Sequence, residues 1–336
     1  MAASLGYFNP NRPARLPPLP CPFRHSFILS SMKILMTGAT GLVGSTLVQA
    51  LARDGHTVCR MVRPQTRTNG GRQGAFDVAW NPETGELGGA AVGADAVVNL
   101  GGASIADGRW SESRKRLLRS SRVEATHALV SALAKMNAKP AVLISASAIG
   151  FYGSRGDEIL TEASTPGADF LSDLAKDWEA EALRAESFRA RVVLARFGII
   201  LAKQGGALPK MVLPFRLGVG GKIASGRQWM SWVALDDVVE SLKFALMNRD
   251  VRGPVNVAAP EPVTNLDFTR AVASALHRPA IFPVPALALK FAFGREMAEA
   301  LLLSSQRVMP AMLTRFGYRF LRPSFPIALN DIIKSR

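Results

Sequence analysis

Cysteine is scarce in this chain. Cys21 and Cys59 are the only two among 336 residues, too few for a disulfide scaffold. Cys59 falls in an apolar, strand-like run, so both read as reduced thiols of a cytosol-like compartment. The four histidines, at 25, 56, 127 and 277, show no metal-ligand spacing, and no metal site is expected. No apolar run reaches the ~18 residues of a bilayer span, and no membrane partner is expected. Acid is missing from residues 1–31, a proline-rich stretch with Arg12, Arg15 and Arg24. It lacks the apolar core of a secretory signal. It reads as a disordered leader with Met32 as the functional start, which places the protein in the cytoplasm; the alternative is a plastid or mitochondrial transit segment. The net charge is +15, of which the leader carries three, leaving 15 − 3 = +12. A field of that sign favours polyanions, a phosphorylated cofactor or nucleic acid, without choosing between them.

What is present is more specific. Residues 33–44 read Lys-Ile-Leu-Met-Thr-Gly-Ala-Thr-Gly-Leu-Val-Gly, an apolar strand that runs into three evenly spaced glycines and then into an amphipathic helix to about Ala52. Gly38 permits the tight turn, Gly41 lets the backbone approach a pyrophosphate, and Gly44 lets the helix lie close to the strand. The helix N-terminus adds free N–H groups and a partial positive charge. Thr40, Leu42 and Val43 complete this loop. A second strand follows over 56–63, then a Gly- and Arg-rich loop to about Gly74. Strands are expected over 76–80, 94–100, 141–145 and 192–200, with helices over 111–136 and 171–186 between them. Such alternation predicts an α/β fold, a doubly wound parallel sheet of the NAD(P)-binding Rossmann type over 32–200. From 201 to 336 the pattern becomes mixed, with strands over 228–233 and 255–258 and helices over 236–247, 264–276 and on to about Phe316. This reads as a smaller lobe closing over the carboxyl ends of the strands.

The end of the second strand selects the cofactor. NAD enzymes place an acid there for the ribose 2′-hydroxyl. This chain has Arg60-Met-Val-Arg63 and no acid before Asp77. A guanidinium binds a 2′-phosphate that a carboxylate would repel, so NADP(H) is expected, held by Arg63; Arg60 alternates to the other face. Ser145 and Ser147, expected in the loop after the fifth strand, put hydroxyls at the edge of the sheet. Trp229, Trp232 and Arg227 either face the crevice or pack the lobe.

With these strings in view the chain resembles an extended or atypical short-chain dehydrogenase/reductase. It is most similar to the "epimerase family protein" (SulA-like) subgroup with a C-terminal domain of unknown function. The similarity runs over about 32–330 and rests on Thr37-Gly-Ala-Thr-Gly-Leu-Val-Gly44, Val98-Asn-Leu-Gly101 and Ser145-Ala-Ser-Ala-Ile-Gly-Phe-Tyr-Gly153. Further matches are Ala175-Lys-Asp-Trp-Glu179, Gly226-Arg-Gln-Trp-Met-Ser-Trp232 and Gly253-Pro-Val-Asn-Val-Ala-Ala-Pro260. The resemblance implies that Val62, Arg63, Leu100, Gly101 and Arg122 line an NADP site, with Ile200 nearby, and that Ser147 is the active-site serine. The Tyr-x-x-x-Lys pair of short-chain dehydrogenases is missing. Four residues after Tyr7, Tyr152 and Tyr318 stand Asn11, Gly156 and Arg322. No register about Phe170 or Trp178 restores it, and Lys176 reads as a surface residue. Tyr152 is a substitute acid or a packed aromatic. The expected function is an NADP(H)-dependent oxidoreductase or sugar-nucleotide epimerase-like enzyme with a non-standard active site, acting on a small molecule. The alternative is a non-catalytic NADP-binding sensor or scaffold. The arginines at 109, 114, 116, 119 and 122 lie among acids with few aromatics to stack bases, so nucleic acid is not an expected partner.

Overall fold

Strand and helix alternate as the sequence pattern requires. Lys33–Thr37 forms β1, Leu42–Arg53 α1, Thr57–Val62 β2, Ala75–Asn81 β3, Glu86–Leu87 β4 and Ala96–Asn99 β5. Glu112–Arg119 (α2) and Ala125–Ala134 (α3) follow, then Val142–Ala148 (β6), Ile159–Leu160 (β7), Phe170–Leu183 (α4), Arg191–Phe197 (β8), Ile199–Leu201 (β9) and Leu208–Arg216 (α5). The remainder comprises Trp229–Met230 (β10), Trp232–Ala234 (β11), Leu235–Met247 (α6), Gly253–Val257 (β12), Val263–Thr264 (β13), Asn265–Leu276 (α7), Ala286–Phe293 (α8), Arg295–Leu301 (α9), Arg307–Val308 (β14), Ala311–Arg315 (α10) and Phe325–Lys334 (α11). This computed structural model describes residues 31–63 and 74–334, all within the unit Ser31–Arg336. The readings of the leader and of most of the Gly- and Arg-rich loop lie outside the described residues.

Eight strands form one sheet in the order β12-β8-β6-β5-β1-β2-β3-β4. Every pairing in it is parallel except that of the short β4 with β3. The order reverses at β1, between β2 and β5, and there a doubly wound sheet opens its crevice. Side-chain alternation feeds two cores. Ile34, Met36, Val98 and Ile144 pack on α1 and α6 through Leu47, Leu51, Val239 and Leu242. Leu35, Val97, Leu143 and Val192 pack the other face against α3 and α4 through Leu129, Leu133 and Ala182. A third core joins Leu201, Phe215, Phe268 and Phe325 around Trp232, with Trp232 and Phe325 edge to face at 5.2 Å. Trp232 is therefore lobe packing, not a crevice residue.

The chain departs from the sequence reading at five places. The helix expected over 111–136 ends at Ala134 and is interrupted by a π-helical turn, Ser120–Glu124, a widening that often marks a functional site. The expected strand over 192–200 breaks at Gly198, where a Cβ would stand 2.8 Å from the Ser231 carbonyl oxygen; β9 then leaves the sheet to pair with β11. β6 runs on to Ala148, its pairing with β8 reaching Ala148–Phe197. Helix α11 lies beyond the expected end of helical sequence at Phe316. β12, from beyond residue 200, adds the outer strand beside β8.

One local strain gives a test. His277 caps α7 in the left-handed conformation, φ 52°, which costs a residue with a Cβ more than glycine. Its side chain is exposed, so His277→Gly removes strain without emptying the core. A stabilisation of roughly 0.5–1 kcal/mol is expected, read as a higher urea midpoint at unchanged slope. A lower midpoint would mean the His277 ring contributes more than its backbone costs.

Candidate functional site

Parallel strands end on one edge, so Thr37, Val62, Asn99 and Ala148 arrive together. Gly38 has φ +64°, and a Cβ there would lie 2.6 Å from the Leu100 backbone. A Cβ on Gly44 would lie 2.1 Å from the Gly38 carbonyl oxygen, so α1 rests on the loop only because Gly44 has no side chain. Gly41 is different. It is exposed, its φ is −74°, and its Cβ would touch only the Gly38 oxygen, at 3.3 Å. No acid occupies the first turn of α1, leaving its N-terminal field unopposed.

The opposite wall of this cradle is fixed by hydrogen bonds. Thr37 Oγ1 donates to Asn99 Oδ1 at 2.7 Å and accepts from the Leu100 and Gly101 amides at 3.0 and 3.1 Å. Asn99 Nδ2 donates to Thr126 and Ser145 hydroxyls, and Trp178 Nε1 also donates to Thr126. Val43, Leu100 and Ile200 each pack on the adjoining core. A Cβ on Gly206 would meet the Leu42 side chain at 3.0 Å and the Ile200 carbonyl oxygen at 3.5 Å, so the loop after β9 closes on the start of α1. Thr40 is exposed at the mouth.

Two arginines border it. Arg63 is exposed immediately beyond β2. Arg60 is bound to Asp77, Nε to Oδ1 at 2.7 Å, which leaves Asp77 engaged on the other side of the strand. Arg122, in the π turn, donates to the Ala103 carbonyl at 2.8 Å and lies against Gly102, where a Cβ would be 3.2 Å from its Cζ. Among the described residues no carboxylate pairs with it. Burial, then the nearby Arg114 charge, draw its pKa down to about 10. Arg114 donates to the Ser104 carbonyl, and its Nε is buried without a partner. Arg114 has Asp107 close enough to feel its charge, so the guanidinium that lacks a carboxylate is that of Arg122, and a buried cation without a counter-ion is a site for an anion. A glycine cradle, an unopposed helix N-terminus, an exposed Arg63 and an Arg122 with no carboxylate among the described residues fit a phosphorylated dinucleotide: Gly38, Gly41 and Gly44 would border the pyrophosphate, and Arg63 and Arg122 would meet phosphate charge.

Ser147 does not sit in a loop. It lies inside β6, paired with Arg196 of β8, and it is buried. Small side chains let β6 and β8 stay in register past residue 145. Ser147 Oγ donates to Glu179 Oε1 at 2.6 Å. Arg196 grips the same carboxylate with two bonds, Nε to Oε1 at 2.8 Å and Nη2 to Oε2 at 2.7 Å. Its Nη1 donates to the Tyr152 hydroxyl at 3.0 Å, which in turn donates to Asn256 Oδ1 at 2.7 Å. The Arg196 guanidinium also lies 3.5 Å from the Phe151 ring centre. Tyr152 is fully buried, and burial raises its pKa against the opposing pull of Arg196. Burial works against the charge of Arg196, yet the bonds to Glu179 raise its pKa overall. The Ser147 proton is thus committed to Glu179, so its oxygen can accept a hydrogen bond but cannot donate one to a carbonyl while that bond stands.

The sequence reading passed over Arg196 and used Glu179 and Asn256 only as parts of matching strings. One signal was available: Arg196 interrupts the apolar strand Arg191–Phe197, and a charge inside a strand covered on both faces needs a buried partner. Lys176 is on the surface with Asp173 at 2.7 Å. Trp229 donates Nε1 to Asp157 at 2.8 Å beneath the Arg307 guanidinium, and Arg227 is exposed.

Comparison with known proteins agrees with this geometry. The NAD dependent epimerase/dehydratase family model matches residues 34–258, and a domain of unknown function, DUF1731, matches 284–332. An epimerase family protein of Mycobacterium bovis is 42% identical over 293 residues, 87% of this chain and 94% of its own. The chloroplastic SDR39U1 homologue of Arabidopsis thaliana, also an epimerase family protein, is 36% identical, covering 91% and 88%. The crystal structure of human epimerase family protein SDR39U1 with NADPH superimposes with a TM-score of 0.81 at 33% identity, covering 91% of this chain and 100% of that one. The chain belongs to the NAD dependent epimerase/dehydratase family and carries, behind the family domain, a C-terminal DUF1731 domain.

Proposed function

We propose that the protein is an NADP(H)-dependent oxidoreductase or epimerase-like enzyme whose active site works without a Tyr-x-x-x-Lys pair. The observation that carries the reading is the end of β2: Arg63 is exposed where an acid would select NAD, and Asp77 is bound to Arg60. NADPH in the human relative's structure supports the same choice. A bound nicotinamide supplies hydride chemistry. The chain's part is to hold the dinucleotide on the glycine cradle, to meet phosphate charge with Arg63 and Arg122, and to offer Ser147 to a substrate. With its proton on Glu179, Ser147 accepts from a substrate hydroxyl, which orients an alcohol for oxidation. Tyr152 is fully buried and fixes Arg196 from inside the network.

A specific observation favours a second reading. Ser147, Glu179, Arg196, Tyr152 and Asn256 satisfy one another, a closed arrangement that also suits a non-catalytic NADP-binding sensor. Fluorescence titration with NADPH and NADH tests the shared premise. A clear preference for NADPH is expected, and Arg63→Ala should weaken NADPH by roughly ten- to a hundredfold, the loss of charge-assisted hydrogen bonds, with little change for NADH. Equal losses for both would refute the assignment of Arg63. Turnover on a panel of alcohols and carbonyls then separates enzyme from sensor.

A further inference from the structure

Helix α8 is apolar nearly all round, Ala-Leu-Ala-Leu-Lys-Phe-Ala-Phe, yet none of its residues is buried. A helix of that composition is ordinarily core. Here Leu287 is 78% and Phe291 84% exposed, one turn apart on the same side. The segment just before it adds Ile281 at 71% and Phe282 at 58%. This segment runs beside residues 221–224: Val284 N donates to the Lys222 oxygen at 2.8 Å, and Ala224 N to the Val284 oxygen at 2.9 Å. The chain leading into that pairing carries exposed Leu217 and Val219. The result is a continuous apolar rim on the lobe, larger than the single exposed apolar residues of an ordinary surface.

Its charge is one-sided. From Phe268 to Arg295 the chain carries Arg270, Arg278, Lys290 and Arg295 and no acid; from Leu208 to Leu235 it carries Lys210, Arg216, Lys222 and Arg227 and again no acid. Acids flanking these stretches pair with some of these cations, Glu299 with Lys290 and Arg295, Asp267 with Arg270 and Asp107 with Lys210, while Glu296 is held by Lys115; among the described residues no carboxylate pairs with Arg216, Lys222, Arg227 or Arg278, and these four carry the cationic excess. Arg109 holds α8 in place from beneath through the Phe291 and Ala292 carbonyls. A second copy brought to this face would oppose cation to cation on a protein of net charge +15. An apolar face with a cationic surround matches the acyl and headgroup layers of an anionic bilayer.

We propose that α8 and the adjoining 281–282 segment form a peripheral docking face for an anionic lipid surface. No helix among the described residues is long and apolar enough to cross a membrane, so the contact lies on the bilayer. This departs from the sequence expectation of no membrane partner, which rested on the absence of a span.

The test is co-sedimentation of the full chain with vesicles of phosphatidylcholine containing about one-third phosphatidylglycerol, and with phosphatidylcholine alone. Binding to the anionic vesicles only, falling as salt is added, is expected. Leu287→Glu with Phe291→Glu should reduce it at least about tenfold, with an unchanged far-UV circular dichroism spectrum. Should that variant fail to fold, Arg216→Glu with Arg278→Glu removes cations that no carboxylate holds, keeps the apolar side chains, and should give a similar loss. No binding, equal binding to neutral vesicles, or binding that survives these substitutions would overturn the proposal. So would a dimer in sedimentation velocity that the apolar substitutions dissolve, since the face would then belong to a second copy.

Discussion

Glu179→Ala is expected to destabilise the protein by about 3–5 kcal/mol, the cost of leaving a buried charge without its partner. The magnitude follows from what remains. Arg196 is buried on β8, between β12 and β6, three of its hydrogen bonds go to Glu179 and Tyr152, and Glu179 supplies the only carboxylate among them. The Phe151 ring offsets part of the charge but accepts no hydrogen bond. Ser147→Ala should cost far less, about 1–2 kcal/mol, because Glu179 keeps both bonds from Arg196. Removing both charges, Glu179→Leu with Arg196→Met, should recover most of the loss, since apolar replacement of a buried pair is often neutral. Urea unfolding followed by circular dichroism gives these differences directly. A Glu179→Ala midpoint equal to the parent's would mean that water reaches Arg196 and that the closed network does not hold β6, β8 and α4 together.

The cofactor half of this molecule was readable because its constraints are local. The spacing of Gly38, Gly41 and Gly44 encodes a turn and a close helix approach within seven residues of chain, and Arg63 follows from strand alternation. The polar centre was not readable in the same way, because its members come from four elements and the turn that carries Tyr152. Ser147 on β6, Glu179 on α4, Arg196 on β8 and Asn256 on β12 span more than a hundred residues of sequence and meet only through sheet order. Placing Ser147 in a loop was an error of strand length: small residues such as Ala146 lower strand propensity, and pairing with β5 does stop at Ser145, but pairing with β8 carries the strand on to Ala148. The π turn at Ser120–Glu124 left no mark in a sequence that looks uniformly helical, and Arg122 depends on that turn for its direction. The exposed helix α8 escaped notice for the opposite reason, since an apolar helix is assumed to be covered.

Gly44→Ala is expected to damage folding and dinucleotide binding together, whereas Gly41→Ala should damage binding alone. At Gly44 the new methyl group would stand 2.1 Å from the Gly38 oxygen, 2.8 Å from the Ala39 Cα and 2.9 Å from the Gly38 carbonyl carbon. All three are backbone atoms, so no side chain can turn aside; α1 must retreat from the loop. Overpacking of this kind costs about 1–3 kcal/mol, and the severity of the contact puts Gly44→Ala at the upper end. The retreat also moves the α1 N-terminus away from the pyrophosphate position, so NADPH affinity should fall by roughly a hundredfold or more. Gly41 has an ordinary φ of −74° and meets only one atom, at 3.3 Å. Alanine fits there with a shift of a few tenths of an ångström, and the urea midpoint should stay near the parent's. The same methyl group would project from the exposed cradle toward the phosphates, where close backbone approach is required. NADPH titration beside urea unfolding separates the two cases. If Gly41→Ala bound NADPH as tightly as the parent, the pyrophosphate would not lie over this loop, and the three glycines would serve only to pack α1 against β1.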